Sequence, residues 1–339
     1  MKKHVTRRRL IVAGILLVFV AAFFGIAQLT KATKPTAITT TAATTTAATT
    51  TAATTTAATT ATATTGTAPS ALWYWTMAVS PSDEKTLVLA TSGGLYRSLD
   101  GGRTWRPTGP KGLNATSVVT LGKELLAGGV HVGAVASPVV RRGNTRVAGT
   151  GPLVLVASRD GGKTWKPLHP SGLPDVTLQA LTPDPTGKSL YALLNDGKLF
   201  LSTDGARSFH LAVRKIGAPP WALAVTKGDR FVAGDMDTGA YASPNGQTWQ
   251  HTPFHDSRGG EMVMEYAVKP GDPARVLMSA FGLELSSDAG KSWHTALRSN
   301  VMFGPVAWAP SAKDVAYAVG FDASVWRSGD GGKTWTKVG

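Results

Sequence analysis

Residues 328–335 read Ser-Gly-Asp-Gly-Gly-Lys-Thr-Trp, and closely related stretches occupy 98–105, 158–165, 202–209 and 286–293. A shortened version at 243–249 has Asn245 in place of the Asp. From one Ser to the next, the steps along the chain are 60, 44, 41, 43 and 42 residues. A recurring interval of this length indicates a repeat protein, in which each unit packs against its neighbours.

Each copy of the motif lies between two short apolar stretches, which predicts a hairpin turn. The Asp side chain accepts hydrogen bonds from backbone N–H groups of such a turn, Gly adopts positive φ, and the closing aromatic residue begins the next strand. The motif is therefore assigned a structural role. Its residues in the five complete copies are Ser98, Asp100, Trp105, Ser158, Asp160, Trp165, Ser202, Asp204, Phe209, Ser286, Asp288, Trp293, Ser328, Asp330 and Trp335.

Three further apolar runs precede each motif, so each unit supplies four strands. Four antiparallel strands per ~40–50-residue repeat are typical of a β-propeller blade. The sequence thus predicts an all-β chain with a six-bladed propeller over residues 71–339. The repeats leave no strand over to close the ring by exchange, although Ser70–Trp73 offers one.

The motif S-x-D-x-G-x-[TS]-[WF] closely resembles the Asp-box repeat, also called the BNR repeat, over about residues 71–339. The resemblance implies a propeller similar to those of sialidases, other glycoside hydrolases, sortilin-type receptors and photosystem II assembly-factor-like proteins. In such relatives the box lies away from the ligand-binding face. The motif identifies a superfamily and leaves the function open.

The resemblance makes a sialidase-like glycoside hydrolase, secreted or anchored, one alternative. Sialidases use a Tyr nucleophile, and the family carries an Arg-Ile-Pro motif, which this chain lacks. Glu265 and Tyr266 are neighbours in one predicted strand, so their side chains point to opposite faces. No catalytic residue is therefore assigned, and the favoured function is a non-catalytic module that binds a protein or a carbohydrate, or assists assembly.

Candidate binding residues are those predicted at the end of the propeller opposite the boxes. Trp75 and Trp221 align at the start of first strands, where they either stack on a ligand or fill the channel. Arg141 and Arg142 lie in an insertion of the second repeat, either a docking loop for an acidic partner or a surface hairpin. The full set is Trp75, Trp221, Arg141, Arg142, Asp235, Asp237, Asp256, Glu265 and Asp322. Solvated loop acids are the plain alternative for the carboxylates, and Glu284 stands in an otherwise apolar column.

The first 70 residues differ in kind from the repeats. Residues 1–9 are basic, and 10–29 form an apolar run long enough to cross a bilayer. By the positive-inside rule this run is a single-pass signal anchor that leaves the propeller outside the cell membrane. A cleaved signal peptide and a secreted product are the alternative. Residues 30–70 are a Thr/Ala-rich low-complexity stalk, either O-glycosylated or a plain spacer.

The amino-acid composition limits the classes of partner and cofactor that this chain is expected to bind. The 339 residues contain no Cys, which excludes disulfides and thiolate sites. The net charge is +14, but seven basic residues and no acid precede residue 70, so the repeats carry 28 basic against 21 acidic residues. Without a basic stripe, nucleic-acid binding is not expected. The His spacing offers no metal motif, and neither a metal nor another cofactor is expected. We expect a monomer.

Overall fold

The computed structural model describes residues 64–131, 141–142, 145–146, 153–216 and 221–338, and they form an all-β propeller of antiparallel blades. The predicted fold class is confirmed at this level. Among these residues no helix is long and apolar enough to span a membrane. The predicted anchor at 10–29 and most of the predicted stalk lie outside the described ranges.

The strands pair into five larger sheets and one small hairpin within the described ranges. The first sheet has the order β1-β5-β4-β3-β2 and contains β1 (Thr64–Thr65), β2 (Tyr74–Ser80), β3 (Asp83–Thr91), β4 (Gly94–Ser98) and β5 (Thr104–Thr108). The second has the order β11-β10-β7-β6 and contains β6 (Leu113–Leu121), β7 (Glu124–His131), β10 (Leu153–Ser158) and β11 (Lys166–Leu168). Between β7 and β10 in sequence lies the hairpin of β8 (Arg141–Arg142) and β9 (Thr145–Arg146).

The remaining sheets continue in chain order. The third is β12 (Leu178–Pro183), β13 (Leu190–Leu194), β14 (Leu199–Ser202) and β15 (His210–Val213). The fourth is β16 (Ala222–Thr226), β17 (Arg230–Asp235), β18 (Gly239–Ser243) and β19 (Gln250–His251). The fifth has six strands, β20 (Glu265–Lys269), β21 (Asp272–Ser286), β22 (His294–Trp308), β23 (Ala316–Gly320), β24 (Val325–Ser328) and β25 (Thr336–Lys337).

The predicted count of six separate four-stranded blades is wrong for these residues, because the last two repeats share one sheet. Strands β21 and β22 are each 15 residues long. The first part of β22 pairs with β21 and its second part pairs with β23, with a register shift between Phe303 and Val306. A strand that changes partners in this way joins two groups of strands that the sequence pattern separates.

Six strands lie innermost and surround a central channel. Each of β2, β6, β12, β16, β20 and the second part of β22 contacts the next, and β22 contacts β2, which closes the ring. Hydroxyl groups connect neighbouring sheets: Thr120 Oγ1 donates to the carbonyl of Val79 at 2.8 Å, and Thr182 Oγ1 donates to that of Leu223 at 2.8 Å. Since these bonds bridge separate sheets, they fix the inner strands around the channel.

The repeated turns follow the third strand of each unit and have the predicted internal bonding. Ser98 Oγ accepts the N–H of Gly102 at 2.8 Å, while Asp100 Oδ1 accepts the N–H of Thr104 at 2.8 Å. Asp100 Oδ2 accepts the Thr104 hydroxyl at 2.6 Å, and the indole N–H of Trp105 donates to the Gly102 carbonyl at 3.0 Å. One Asp therefore closes the turn from both carboxylate oxygens.

Because successive strands are antiparallel, the repeated turns lie at the end of the ring where the inner strands finish. We call this end the turn face. The inner strands begin at the other end, which we call the tryptophan face because Trp75 lies there, at the start of β2. The turns that join second to third strands also lie on the tryptophan face.

The first and last sheets are joined by residues that the sequence assigns to the stalk. Thr64 and Thr65 pair with Trp105 and Thr104 of β5. Thr67 forms a bridge with Ser324, and the N–H of Ala68 donates to the carbonyl of Ala323 at 2.8 Å. Ala68 is buried in the apolar cluster between the two sheets. We call residues 64–69 the strap, since they reach both sheets without contributing an exchanged inner strand.

Candidate functional site

Three tryptophans and one phenylalanine form a cluster on the tryptophan face. The ring centroids of Trp75 and Trp221 are 5.7 Å apart with planes inclined by 30°, and Trp73 lies 5.6 Å from each. Phe321 contacts Trp73 edge to face at 5.0 Å. Trp75 belongs to the first sheet and Trp221 precedes β16 of the fourth, on the opposite side of the ring. Their stacking therefore spans the channel axis and closes this end.

The stacking bears on the role of Trp75 and Trp221, which the sequence analysis named as candidate binding residues. Trp75 and Trp221 stack on one another, so the faces in contact are not free for a ligand. The sequence missed Trp73 and Phe321, which complete the cluster, because nothing in the linear pattern places Phe321 near the first sheet. All four rings are partly exposed. The arrangement is an apolar surface whose outer side faces solvent.

Leu72 extends this apolar surface. Its side chain is 67% exposed. The other exposed large apolar side chains among the described residues are Leu99, at 59%, and Leu211, at 41%. Leu72 directly precedes Trp73, whereas Leu99 belongs to a repeated turn on the other face. An exposed large apolar residue next to an aromatic cluster is the composition expected for a contact surface.

Below the tryptophans the channel forms a cavity of about 260 Å³. Its lining runs from Thr76 and Glu265 to residues in the turns that end the inner strands, among them Gly122, Pro270 and Pro310. The cavity is therefore entered from the turn face. Most of the wall is aliphatic, and the mouth lies opposite the face where the sequence placed the ligand.

Glu265 begins β20 and lines this channel, where its side chain is half-buried. Its Oε1 accepts the N–H of Tyr266 at 3.2 Å. Removal from water raises the pKa of Glu265 to about 8, against the lowering effect of that hydrogen bond. Tyr266 is buried on the other side of the strand, where its hydroxyl donates to the carbonyl of Ala233 at 3.2 Å. The two side chains therefore lie apart, as their adjacency in one strand predicts.

Two of the candidate acids fold the turns in which they lie. Asp235 Oδ1 accepts the N–H of Asp237 at 2.8 Å, and Asp322 Oδ1 accepts that of Ser324 at 3.0 Å. Asp237 itself is exposed, and its pKa is raised by partial desolvation and by the neighbouring Asp235. The structure gives Asp235 and Asp322 local roles, while the Asp237 carboxylate is exposed and forms no ion pair within the described residues.

Two further acids are buried: Asp256 in the loop that precedes β20, and Glu284 in β21. Asp256 Oδ1 accepts the N–H groups of Arg258 and Gly260 at 2.8 and 3.0 Å, but its buried Oδ2 has no hydrogen-bond partner. Glu284 is 2% exposed and its Oε1 also lacks a partner. Desolvation raises the pKa of Glu284 to about 7, with a smaller lowering contribution from a hydrogen bond with Thr295. Neither acid lines the channel, so they do not form a site with Glu265.

Arg141 and Arg142 lie in the small hairpin, in which Arg141 pairs with Arg146 and Arg142 with Thr145. The pairing shows that the insertion contains a hairpin, and both interpretations of it, a docking loop and a surface hairpin, stay predictions. The sequence did not indicate an ion pair between the end of β20 and the turn before β23, where Lys269 Nζ lies 2.6 Å from Asp314 Oδ1. Within the described ranges, no group of three or more His, Asp or Glu side chains is placed to hold a metal ion.

No protein-family model matches this chain. No curated protein matches it either. Among solved structures, one of a Bacteroides thetaiotaomicron protein of unknown function is similar with a TM-score of 0.53 at 11% identity, over 78% of this chain and 74% of that one. At such identity the likeness concerns the fold alone.

Two further structures are similar at TM-scores of 0.46. One is YCF48 bound to a D1 peptide, at 19% identity over 80% of this chain and 81% of that one. The other is a GH74 xyloglucanase from Xanthomonas campestris, at 17% identity over 81% of this chain and 46% of the enzyme, so the match spans about half of that enzyme.

Proposed function

We propose that the propeller is a non-catalytic module that binds an apolar segment of a partner protein on its tryptophan face. The observation that carries this proposal is the exposed Leu72 beside the cluster of Trp73, Trp75, Trp221 and Phe321. Aromatic residues next to an exposed aliphatic side chain are enriched where proteins contact one another.

A protein partner suits this surface better than a carbohydrate. Sugars stack on free aromatic faces, whereas Trp75 and Trp221 use a face of each ring to contact each other. The exposed Leu72 side chain adds apolar area beside the cluster. Burying one leucine contributes about 1.5–3 kcal/mol, so this residue alone accounts for about a tenfold to hundredfold change in affinity.

The proposal includes the position of the domain in the cell. Residues 10–29 are an uncleaved anchor, and the Thr/Ala-rich stretch that follows holds the propeller, as a monomer, outside the membrane. The repeated turns are Asp boxes, whose bonding supports the inner ring from the turn face. The binding surface is then presented on the other face.

The proposal is tested with photo-crosslinking in cells that produce the full chain. A photo-reactive amino acid replaces Leu72 on the tryptophan face in one variant and Leu99 on the turn face in a matched control. We expect Leu72 to capture a defined partner segment and Leu99 not to capture it. The affinity of that partner for the purified full chain in detergent is then measured for Leu72→Asp and Leu99→Asp.

Leu72→Asp is expected to weaken binding at least tenfold, since it places a charge in the apolar contact, while Leu99→Asp leaves the affinity unchanged. Equal capture at both positions, or equal affinities of both variants, would show that the tryptophan face is not the binding surface. Extraction of the chain from membranes by alkaline carbonate would contradict the anchor.

A further inference from the structure

The central channel contains one carboxylate whose charge has no counterpart. The acidic and basic lining residues of the described channel are Asp184, Glu265 and Lys269. Lys269 is paired with Asp314, and its side chain is 4% exposed. Asp184 accepts the N–H groups of Lys188 and Ser189 at 2.9 and 3.0 Å within its own turn. Glu265 has no basic side chain within ion-pair distance in the described part of the chain.

The surroundings of Glu265 are unfavourable for an unpaired acid. The walls beside it are formed by aliphatic residues of the neighbouring inner strands, such as Val118, Leu181 and Val306. An isolated carboxylate in such an environment is unfavourable unless it is protonated or paired. A lone perturbed acid at the closed end of a cavity is therefore a candidate site for a cation.

The shape of the channel limits what such a cation is. Trp75 and Trp221 stack across the ring at the end where the inner strands begin, which is the end where Glu265 lies. The turn residues that line the other end of the cavity place its opening at the turn face. A cavity of about 260 Å³ is smaller than the ~300–1,000 Å³ typical of pockets for drug-sized ligands. A suitable ligand is therefore slender, with an aliphatic body for the walls and one positive end for Glu265.

We infer that the channel binds a small primary alkylammonium ion, which enters from the turn face and places its ammonium group against the Glu265 carboxylate. The aliphatic chain lies along the inner strands, where it displaces water from apolar surface. The ammonium group donates to the carboxylate, so both charges are compensated away from bulk water. This site is separate from the surface around Leu72, which lies on the other side of the tryptophan stack.

Binding by this route depends on pH in a defined direction. Burial raises the pKa of Glu265 to about 8, so below that pH the ion must displace a proton. Of the other ionisable groups on the elements around the channel, Lys269 and Asp314 neutralise each other, Asp184 lies in the turn at the mouth, and Tyr266 faces Ala233. An alkylammonium has a pKa near that of Lys, about 10.4, and stays charged over this range.

The test is isothermal titration calorimetry of the full chain in detergent micelles with n-butylammonium chloride between pH 6 and 9. We expect saturable binding to one site, with an affinity that rises about tenfold per pH unit below 8 and levels off above it. Glu265→Gln removes the charge at nearly constant volume and is expected to lower the affinity at pH 8 at least tenfold. 1-Butanol serves as the uncharged ligand of the same length.

A melting temperature for Glu265→Gln shows whether that variant folds, and Asp237→Asn, which removes an exposed carboxylate outside the channel, is the matched control and should leave the affinity unchanged. Absence of saturation with the native chain, an unchanged affinity of Glu265→Gln, or equal binding of 1-butanol would overturn the inference. N-acetyl-lysine methylamide distinguishes the source of the ammonium group. If it binds and n-butylammonium does not, the free amine is excluded and the site takes a lysine side chain.

Discussion

The Asp side chain of each repeated turn holds its loop through charge-assisted hydrogen bonds. Asp330 Oδ2 accepts the Thr334 hydroxyl at 2.6 Å, and its Oδ1 accepts the N–H of the same residue at 3.0 Å. These bonds favour the ionised form, and the hydroxyl of Thr334 makes the largest contribution in lowering the pKa of Asp330 to about 2. The same bonding lowers the pKa of Asp100, Asp160, Asp204 and Asp288.

A lowered pKa makes the turns sensitive to acid. Asp has a pKa of about 3.9 in an unfolded chain. The stabilisation by Asp330 is therefore complete above pH ~4 and is lost as the pH falls towards 2. Asp330→Asn is expected to lower the melting temperature at pH 7 by about 2 °C, since screening at this exposed site limits the effect to about 1 kcal/mol.

Melting curves of the native chain and of Asp330→Asn between pH 2.5 and 7 measure this effect. The difference between the two should narrow as the pH falls, because Asn does not titrate. Thr334→Val removes the main hydrogen-bond donor to Asp330. The melting temperature of this variant should therefore depend less on pH than that of the native chain, as expected for Asp330→Asn. A difference in melting temperature that stays constant over this pH range would contradict the assignment.

At the scale of the element, the repeated turn also packs against the preceding sheet. A Cβ added at Gly162 would lie 2.6 Å from Cγ2 of Val88, a fully buried residue of β3. Arg97 of the first sheet donates from Nε to the carbonyl of Gly161 at 2.6 Å. The turn is thus a contact between sheets as well as a connection within one, which explains why the motif recurs once per unit.

Two glycine substitutions distinguish the free-energy cost of overpacking from that of the left-handed backbone conformation. Gly162 and Gly205 both have positive φ, at 82° and 76°, but a Cβ at Gly205 would meet no atom within 4 Å. Gly205→Ala should therefore cost only the strain of the left-handed conformation, about 1–2 kcal/mol. Gly162→Ala adds overpacking against Val88, for a total of about 2–4 kcal/mol. Urea denaturation of both variants measures the free energies of unfolding, and equal losses would exclude the contact between sheets.

The sequence predicted these turns because their chemistry is local. Ser98, Asp100 and Trp105 interact within eight residues, so spacing and residue type were sufficient. The sequence did not predict which strands share a sheet. The change of partner within β22 depends on the residue with which Phe303 pairs, and that residue is distant in the sequence. The stacking of Trp75 on Trp221 was hidden for the same reason: the two residues come from opposite sides of the ring, and no short-range pattern links them.

At the scale of the whole molecule, the ring closes without disulfides. Inner strands β2 and β22 are in contact, and the apolar residues of the first and last sheets form one cluster that includes Leu87, Tyr317 and Val325. The strap adds backbone bonds to both sheets from outside the inner ring. A chain with no Cys thus joins its first and last sheets by apolar packing and by a segment that sequence composition assigned to the stalk.

The contribution of the strap follows from the burial of Ala68, which is 3% exposed between the first and last sheets. Ala68→Asp places an unpaired carboxylate there and is expected to lower the free energy of unfolding by about 2–4 kcal/mol. Ser70→Asp introduces the same charge two residues away at an exposed position and should be neutral within about 0.5 kcal/mol. Urea denaturation of the full chain measures both. If Ala68→Asp unfolds at the same urea concentration as Ser70→Asp, the strap does not stabilise the closed ring, and closure depends on the inner strands alone.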